Sequence, residues 1–227
     1  IFHASSATAT TAALNLRNNI IVNTSTPAGT GLTVAYRRSS GTAGTLANYV
    51  STSNNNLFYA GTPGAGNLIY SDGTSTATTL ASYKAGVFTA GTIAPRDAGS
   101  VTENPPFLST TCGNVNFLHI DPAIATQVES GAATIGGITD DYDGDVRNVS
   151  TPDIGADEGT FILADVTAPT ITYTPLPFTC DGSVNRILTT TITDASGVPV
   201  AGIGLPVLYW RINAGAWTPA TATFVSG

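Results

Sequence analysis

Four short stretches, Asn19-Ile20-Ile21-Val22, Asn56-Leu57-Phe58-Tyr59, Asn67-Leu68-Ile69-Tyr70 and Asn116-Phe117-Leu118-His119, share one form: asparagine, two large apolar residues, then a β-former. An asparagine at a corner tolerates left-handed backbone and hydrogen-bonds to neighbours above and below it. The apolar residues after it suit a narrow, stacked interior. Together they predict successive turns of chain laid on one another, with the asparagine marking a common corner. Their unequal spacing argues against a strict array, but a stacked architecture keeps one corner while its loops vary.

Helical periodicity is nearly absent around these stretches. Val, Ile, Thr, Tyr and Phe fill the ordered runs, and Gly, Asn, Pro and Ser interrupt them every few residues, as short strands and turns require. Two exceptions, Thr79–Ala85 and Ala123–Glu129, are long enough for one or two helical turns. Only 10% of residues are charged, against roughly 25% in an average globular protein. The 42% hydrophobic content still separates the chain from disordered sequences, which lack apolar residues.

A second segment, Ile138 onward, reads I-T-D-D-Y-D-G-D-V-R-N-V-S-T-P-D-I-G-A-D-E. It resembles the terminal signature of secreted β-helix surface proteins of Bacteroidetes-type bacteria, a D-x-D-G-D-x-R segment followed by D-I-G-A-D-E. Here Asn148–Pro152 form the connector between the two motifs. The resemblance covers about residues 14 to 160. It implies an all-β fold whose residues 1–160 are the C-terminal coils and cap of a right-handed parallel β-helix. It also implies an extracellular or cell-surface location, with export by a secretion system of the type IX kind acting on a C-terminal sorting domain. The chain begins at Ile1 and stops at Gly227 in mid-pattern, so it reads as a piece of something longer.

After Phe161 the character changes. Residues 161–168 read as a linker, and residues 169–227 as an immunoglobulin-like β-sandwich domain. The cues are alternation in Leu188–Ile192, the Asp194-Ala-Ser-Gly197 turn and the Trp210–Trp217 hairpin signal. About sixty residues are too few for such a domain, which usually needs roughly a hundred. The module is therefore expected to be truncated or completed from elsewhere.

The net charge of −7 disfavours nucleic acid and anionic membranes as partners. Lys84 is the only lysine, and no apolar run approaches the ~18 residues of a membrane span. Cys112 and Cys180 fit no metal-binding spacing. Two small buried residues is the preferred reading, and a disulfide between domains the alternative.

Asp140, Asp141, Asp143, Asp145, Asp153, Asp157 and Glu158 supply 7 of the 15 acids within 19 residues. Carboxylates this close repel unless a cation offsets them. Asp141, Asp143 and Asp145 alternate around a glycine turn, which suits Ca²⁺ as a cofactor, although the bidentate Glu of an EF-hand is missing. The preferred reading is that the acids cap turns, pair with Arg147 and close the open end of the stack.

No catalytic constellation is evident. Asp72, Asp97 and Glu103 are the only acids before Cys112, and Arg37-Arg38 is the sole basic pair. This is sparse for the groove of a polysaccharide lyase or hydrolase. His3 and His119 have no Cys or Ser arrangement around them that makes a triad or metal site, and read as half-buried or strand-edge residues. Gly61–Gly66 is glycine-rich but lacks a following GKS/T. Tyr36, Tyr59, Tyr70 and Tyr83 would stack on sugars if exposed in a row, but aromatic residues in such folds more often fill the core. Asn23-Thr-Ser and Asn148-Val-Ser are formal glycosylation sequons.

The function that emerges is non-catalytic: a structural and adhesive segment of a large secreted or surface protein. Its partners would be other modules of the same chain, glycans or cell-surface proteins. Two alternatives stay open. One is the C-terminal part of a β-helix polysaccharide-degrading enzyme with its active coils upstream. The other is a subunit or cargo of an extracellular assembly.

Overall fold

A computed structural model describes residues 1–40, 42, 44–178 and 185–225. The chain is mostly β, with one short helix and many small sheets. It divides into two compact units, Ile1–Ala164 and Asp165–Gly227. Among the described residues no helix is long and apolar enough to cross a membrane.

In chain order the first unit contains β1 (Phe2–His3), β2 (Ile20–Val22), β3 (Thr33–Arg38), β4 (Leu57–Tyr59), β5 (Asn67–Ser71) and β6 (Thr76–Ala77). Then come α1 (Leu80–Ala85), β7 (Val87–Phe88), β8 (Gly91–Thr92), β9 (Ala125–Thr126) and β10 (Ile162–Leu163). Two parallel ladders organise it. In one, β3 lies between β1 and β5, pairing Phe2 with Arg37 and Tyr36 with Tyr70. In the other, β2 pairs with β4, Ile20 opposite Leu57 and Val22 opposite Tyr59, and Leu57 is bridged onward to Val101. Parallel bridges Leu14–Tyr49 and Arg17–Asn54 repeat the stacking before the second ladder.

The first two asparagine stretches therefore lie in register, and their asparagines stack. The Asn56 side-chain oxygen accepts from both the backbone and side-chain N–H of Asn19, at 3.0 and 3.3 Å. The left-handed corner itself belongs to the residue before, Asn18 (φ 57°) and Asn55 (φ 55°). Asn67 has the same local form but pairs with Thr33 in the other ladder. The fourth stretch departs altogether: Phe117 and Leu118 are exposed, with Leu118 left-handed. Its backbone is taken up by loop bonds, Leu118 N–H to Ser109 O and His119 N–H to Asn116 O, instead of a stacked strand.

Alternation then decides burial. Phe58, Tyr36, Tyr70, Tyr49 and Tyr83 meet in one fully buried aromatic cluster, with Tyr36 and Tyr49 ring centroids 5.2 Å apart and Tyr70 and Tyr83 5.3 Å apart. On the opposite face of the second ladder, Leu57 packs with Ile120, Val128 and Ile154, flanked by Ile20, Val22, Val101 and Phe161. Residues beyond Val101 thus cover the outer face of β2 and β4. Gly155 shows how close they come: its N–H donates to Asn18 O, and a Cβ there would lie 2.6 Å from Ile20 Cδ1.

The helix expected near residue 80 is α1, capped by Thr79, whose hydroxyl accepts from Ser82 N–H while the Ser82 hydroxyl accepts from Thr79 N–H. The second stretch, Ala123–Glu129, is not helical. Ala125–Thr126 instead pair in parallel with Ile162–Leu163, and the Glu103 carboxylate accepts from Gln127 N–H and the Thr126 hydroxyl. Tertiary pairing outweighs the weak helical preference of so short a segment. The β10 strand falls within the stretch expected as linker.

The second unit contains β11 (Thr170–Tyr173), β12 (Thr190–Thr193), β13 (Val207–Trp210) and β14 (Thr218–Thr221). β11 pairs antiparallel with β12, and β13 with β14, Trp210 opposite Thr218. The Asp194 turn forms as its residues suggest: Asp194 accepts from Ser196 N–H, and Gly197 takes φ 95°. Between β13 and β14 the Arg211 guanidinium lies 4.6 Å from the Trp217 ring centre. None of the described residues of this unit is buried.

Candidate functional site

The acidic segment folds around Asp141. One Asp141 oxygen accepts from the backbone N–H groups of Asp143, Gly144 and Asp145 at 2.8–2.9 Å, and the other accepts from Glu158 N–H at 2.9 Å. Burial pulls the Asp141 carboxyl upward, but these four donors outweigh it and hold the group below the usual carboxylate range. The side chain that sequence placed first in a calcium set is thus occupied as a turn and segment cap. Asp143 and Asp145 lie on the same turn, their backbone N–H groups donating to Asp141.

Arg147 and Glu158 form the segment's ion pair, with Nη1 3.1 Å from Oε2. Arg147 also donates to Asp153 O and Gly155 O, and its buried Nε has no partner. Glu158 accepts further from the backbone N–H groups of Asn148 and Asp153. Asp153, 1% exposed, accepts from Ser130 N–H and Gly159 N–H. Burial, with the charges of Glu129 and Glu158 adding to it, pushes its carboxyl up to about 6.

The one mixed cluster that sequence reading missed is centred on His119. Its Nε2 lies 3.5 Å from Asp143 Oδ2, and its Nδ1 lies 3.2 Å from Asp157 Oδ1. Among the described residues, His119, Asp143 and Asp157 offer one ligand atom each within 4.8 Å of one another. Asp157 is fixed from behind, its second oxygen accepting Ile120 N–H at 2.6 Å. Separations of 24 and 38 residues from the histidine leave no local signal, and the two Asp positions read only as members of an acidic run.

The other sequence candidates are placed as follows. Tyr36, Tyr70 and Tyr83 are fully buried and Tyr59 partly so, which removes them as an exposed row for stacking sugars. His3 is buried, its Nδ1 3.0 Å from the Tyr36 hydroxyl. The basic pair splits, because strand alternation leaves Arg37 exposed and buries Arg38 completely. The Arg38 guanidinium donates to Asn48 Oδ1, Thr45 O and the Ser5 hydroxyl. Cys112 is exposed in the loop before Phe117, contrary to the expected buried residue. Its pairing with Cys180 lies outside the described residues. Both sequon asparagines cap their own turns, Asn23 accepting from Ser25 N–H and Asn148 from Ser150 N–H.

A polar centre also went unread. Asp97, fully buried, accepts from Tyr49 and Tyr83 hydroxyls at 2.6 and 2.7 Å, from Asn56 Nδ2 at 2.9 Å and from the Ser100 hydroxyl at 2.8 Å. Compared with known protein families, curated proteins and solved structures, the chain has no match.

Proposed function

We propose that the chain is a structural and adhesive segment of a large secreted or cell-surface protein, and that its first unit is the closing part of a right-handed parallel β-helix. The observation that carries this reading is the parallel stacking of successive turns, 34 to 37 residues apart in the two ladders and 44 apart at the Leu57–Val101 bridge. Stacked partners lie 34 residues apart at Ser5–Ser39 and 37 apart at Asn19–Asn56, with the same interior shared by both ladders. Such a stack resists proteases and load where strands are hydrogen-bonded to turns on both sides, as β3 is to β1 and β5. The acidic signature at 138–158 supports the same reading by its resemblance to secreted surface proteins.

The buried ionisable residues favour a non-catalytic role. Asp97 and Arg38 are fully buried and committed to internal donors and acceptors. The second unit is read as part of an immunoglobulin-like module, which its two antiparallel pairs and its Asp194 turn support. Neighbouring modules of the parent chain, glycans or other surface proteins are the partners of this reading.

Single-molecule pulling on the chain, held between marker domains, tests the proposal. Turn-by-turn peeling of the first unit releases about 12 nm per turn, from roughly 35 residues at ~3.4 Å each. One low-force step releasing the whole unit would overturn the stacked, load-bearing reading. Release of reducing ends or unsaturated sugars from a polysaccharide panel would overturn the non-catalytic one.

A further inference from the structure

We propose that His119, Asp143 and Asp157 form a binding site for one divalent transition-metal ion of the zinc class. Three features of the cluster point to a metal. The donor set is one imidazole and two carboxylates, the chemistry of Zn²⁺, Mn²⁺ or Fe²⁺ sites, whereas Ca²⁺ prefers oxygen ligands alone. The spacing is the second feature. An ion with bonds of about 2.1 Å holds tetrahedral ligands roughly 3.4 Å apart. His119 Nε2 and Asp143 Oδ2 stand at 3.5 Å, while Asp157 Oδ1 faces the other ring nitrogen, Nδ1, at 3.2 Å. One imidazole nitrogen binds the ion, and with one oxygen of each carboxylate it forms a set within 4.8 Å that the ion draws together.

The third feature is support from behind. Asp157 is anchored by Ile120 N–H, and Asp143 rides on the turn that Asp141 caps with three backbone donors. The widest separation among the three ligand atoms is at most 4.8 Å, and the exposed Asp143 side chain closes it by rotation. Water completes the coordination on the open side. The bound ion ties three distant parts of the chain together: residue 119 after the exposed loop, the 141–145 turn and the 157–158 segment. It also neutralises part of an acidic run whose nearest cation, Arg147, is already taken by Glu158.

The test is calorimetric titration of the whole chain, stripped with chelator and with its thiols alkylated, against Zn²⁺ and separately against Ca²⁺. The expected result is saturable Zn²⁺ binding near one equivalent, with a rise of several degrees in melting temperature. His119→Ala weakens it on the order of 100-fold, and Asp143→Asn, at an exposed position, by at least about 10-fold. Far-UV circular dichroism of the metal-free variants establishes that both are folded. Absence of saturable Zn²⁺ heat would overturn the assignment, as would His119→Ala binding like the parent. Preferential Ca²⁺ binding lost on Asp145→Asn would overturn it in favour of the Asp141–Asp145 turn.

Discussion

Replacing Asp97 probes the energetics of the first unit most directly. The side chain is 0% exposed and accepts four hydrogen bonds, from Tyr49, Tyr83, Asn56 and Ser100, each of these donors itself essentially buried. Asp97→Ala strands four buried donors, at about 1–3 kcal/mol each. It also leaves alanine in left-handed backbone (φ 55°), at ~1–2 kcal/mol. Hydroxyl rotation recovers part of this, so the expected loss is about 5 kcal/mol, comparable with the whole stability of a small domain. Asp97→Asn fits the same space and tolerates the same backbone. Its amide can donate to the two tyrosine hydroxyls, which leaves their own protons unpaired, and the expected loss is about 2–3 kcal/mol. Tyr83→Phe removes one donor and leaves the carboxylate three, for roughly 1–2 kcal/mol. Urea unfolding separates the units spectroscopically, because both tryptophans, Trp210 and Trp217, lie in the second. The tyrosine-reported transition should weaken in the order Tyr83→Phe, Asp97→Asn, Asp97→Ala, while the tryptophan transition stays in place. An Asp97→Ala cost below about 1.5 kcal/mol would refute the view that this carboxylate organises the buried network.

Three further outcomes are expected. Burial, foremost, raises Tyr36, Tyr49, Tyr70 and Tyr83 above the ordinary tyrosine range, with the Asp97 charge contributing at Tyr49 and Tyr83. Because the folded state then holds protons that the unfolded chain releases near pH 10, their stabilisation is complete below that pH. It falls as pH rises, by up to ~1.4 kcal/mol per unit for each residue. An ultraviolet titration should show the four buried tyrosines ionising only on unfolding; their ionisation with the structure intact contradicts this. Asp153, raised to about 6 by burial first, keeps its proton in the folded state where the unfolded chain has lost it. The Asp153 contribution is therefore full below about pH 4 and declines through pH 6, by at most ~3 kcal/mol. The gap between parent and Asp153→Asn should move in the variant's favour over that window, and a pH-independent gap argues against it. Gly155→Ala, facing Ile20 Cδ1 at 2.6 Å and a φ of 104°, should cost about 2–3 kcal/mol in a thermal melt; a neutral effect means the two segments do not pack as closely.

Local strand identity was legible because it is a property of a few adjacent residues. The Asn-apolar-apolar form located β2, β4 and β5, and the Thr79–Ala85 run located α1. Strand partners were less legible. Asn67-Leu68-Ile69-Tyr70 has the same form as Asn56-Leu57-Phe58-Tyr59, but the chain has turned a corner between them and presents the third stretch to β3. At Asn116–His119 the same four-residue form makes an isolated parallel bridge, Phe117 to Ser109, rather than joining either ladder, and Phe117 and Leu118 stay exposed.

The polar residues were harder still, and here the reason is energetic. A lone acid in Ala94-Pro-Arg-Asp97-Ala-Gly looks like a solvated loop residue, because burying a charge without donors is costly. Asp97's donors come from residues 48, 41, 14 and 3 positions away, so its burial is visible only once the turns are stacked. The His119 cluster is hidden in the same way. Apolar residues tolerate a two-residue slip along the ladder, since each keeps its face and one large side chain can replace another. Asp97 does not: moving its turn by even two residues relative to Asn56 would leave a buried carboxylate without its donors. Its four bonds therefore fix the register of the ladders more sharply than the aromatic cluster around them, although the aromatic residues supply most of the buried area.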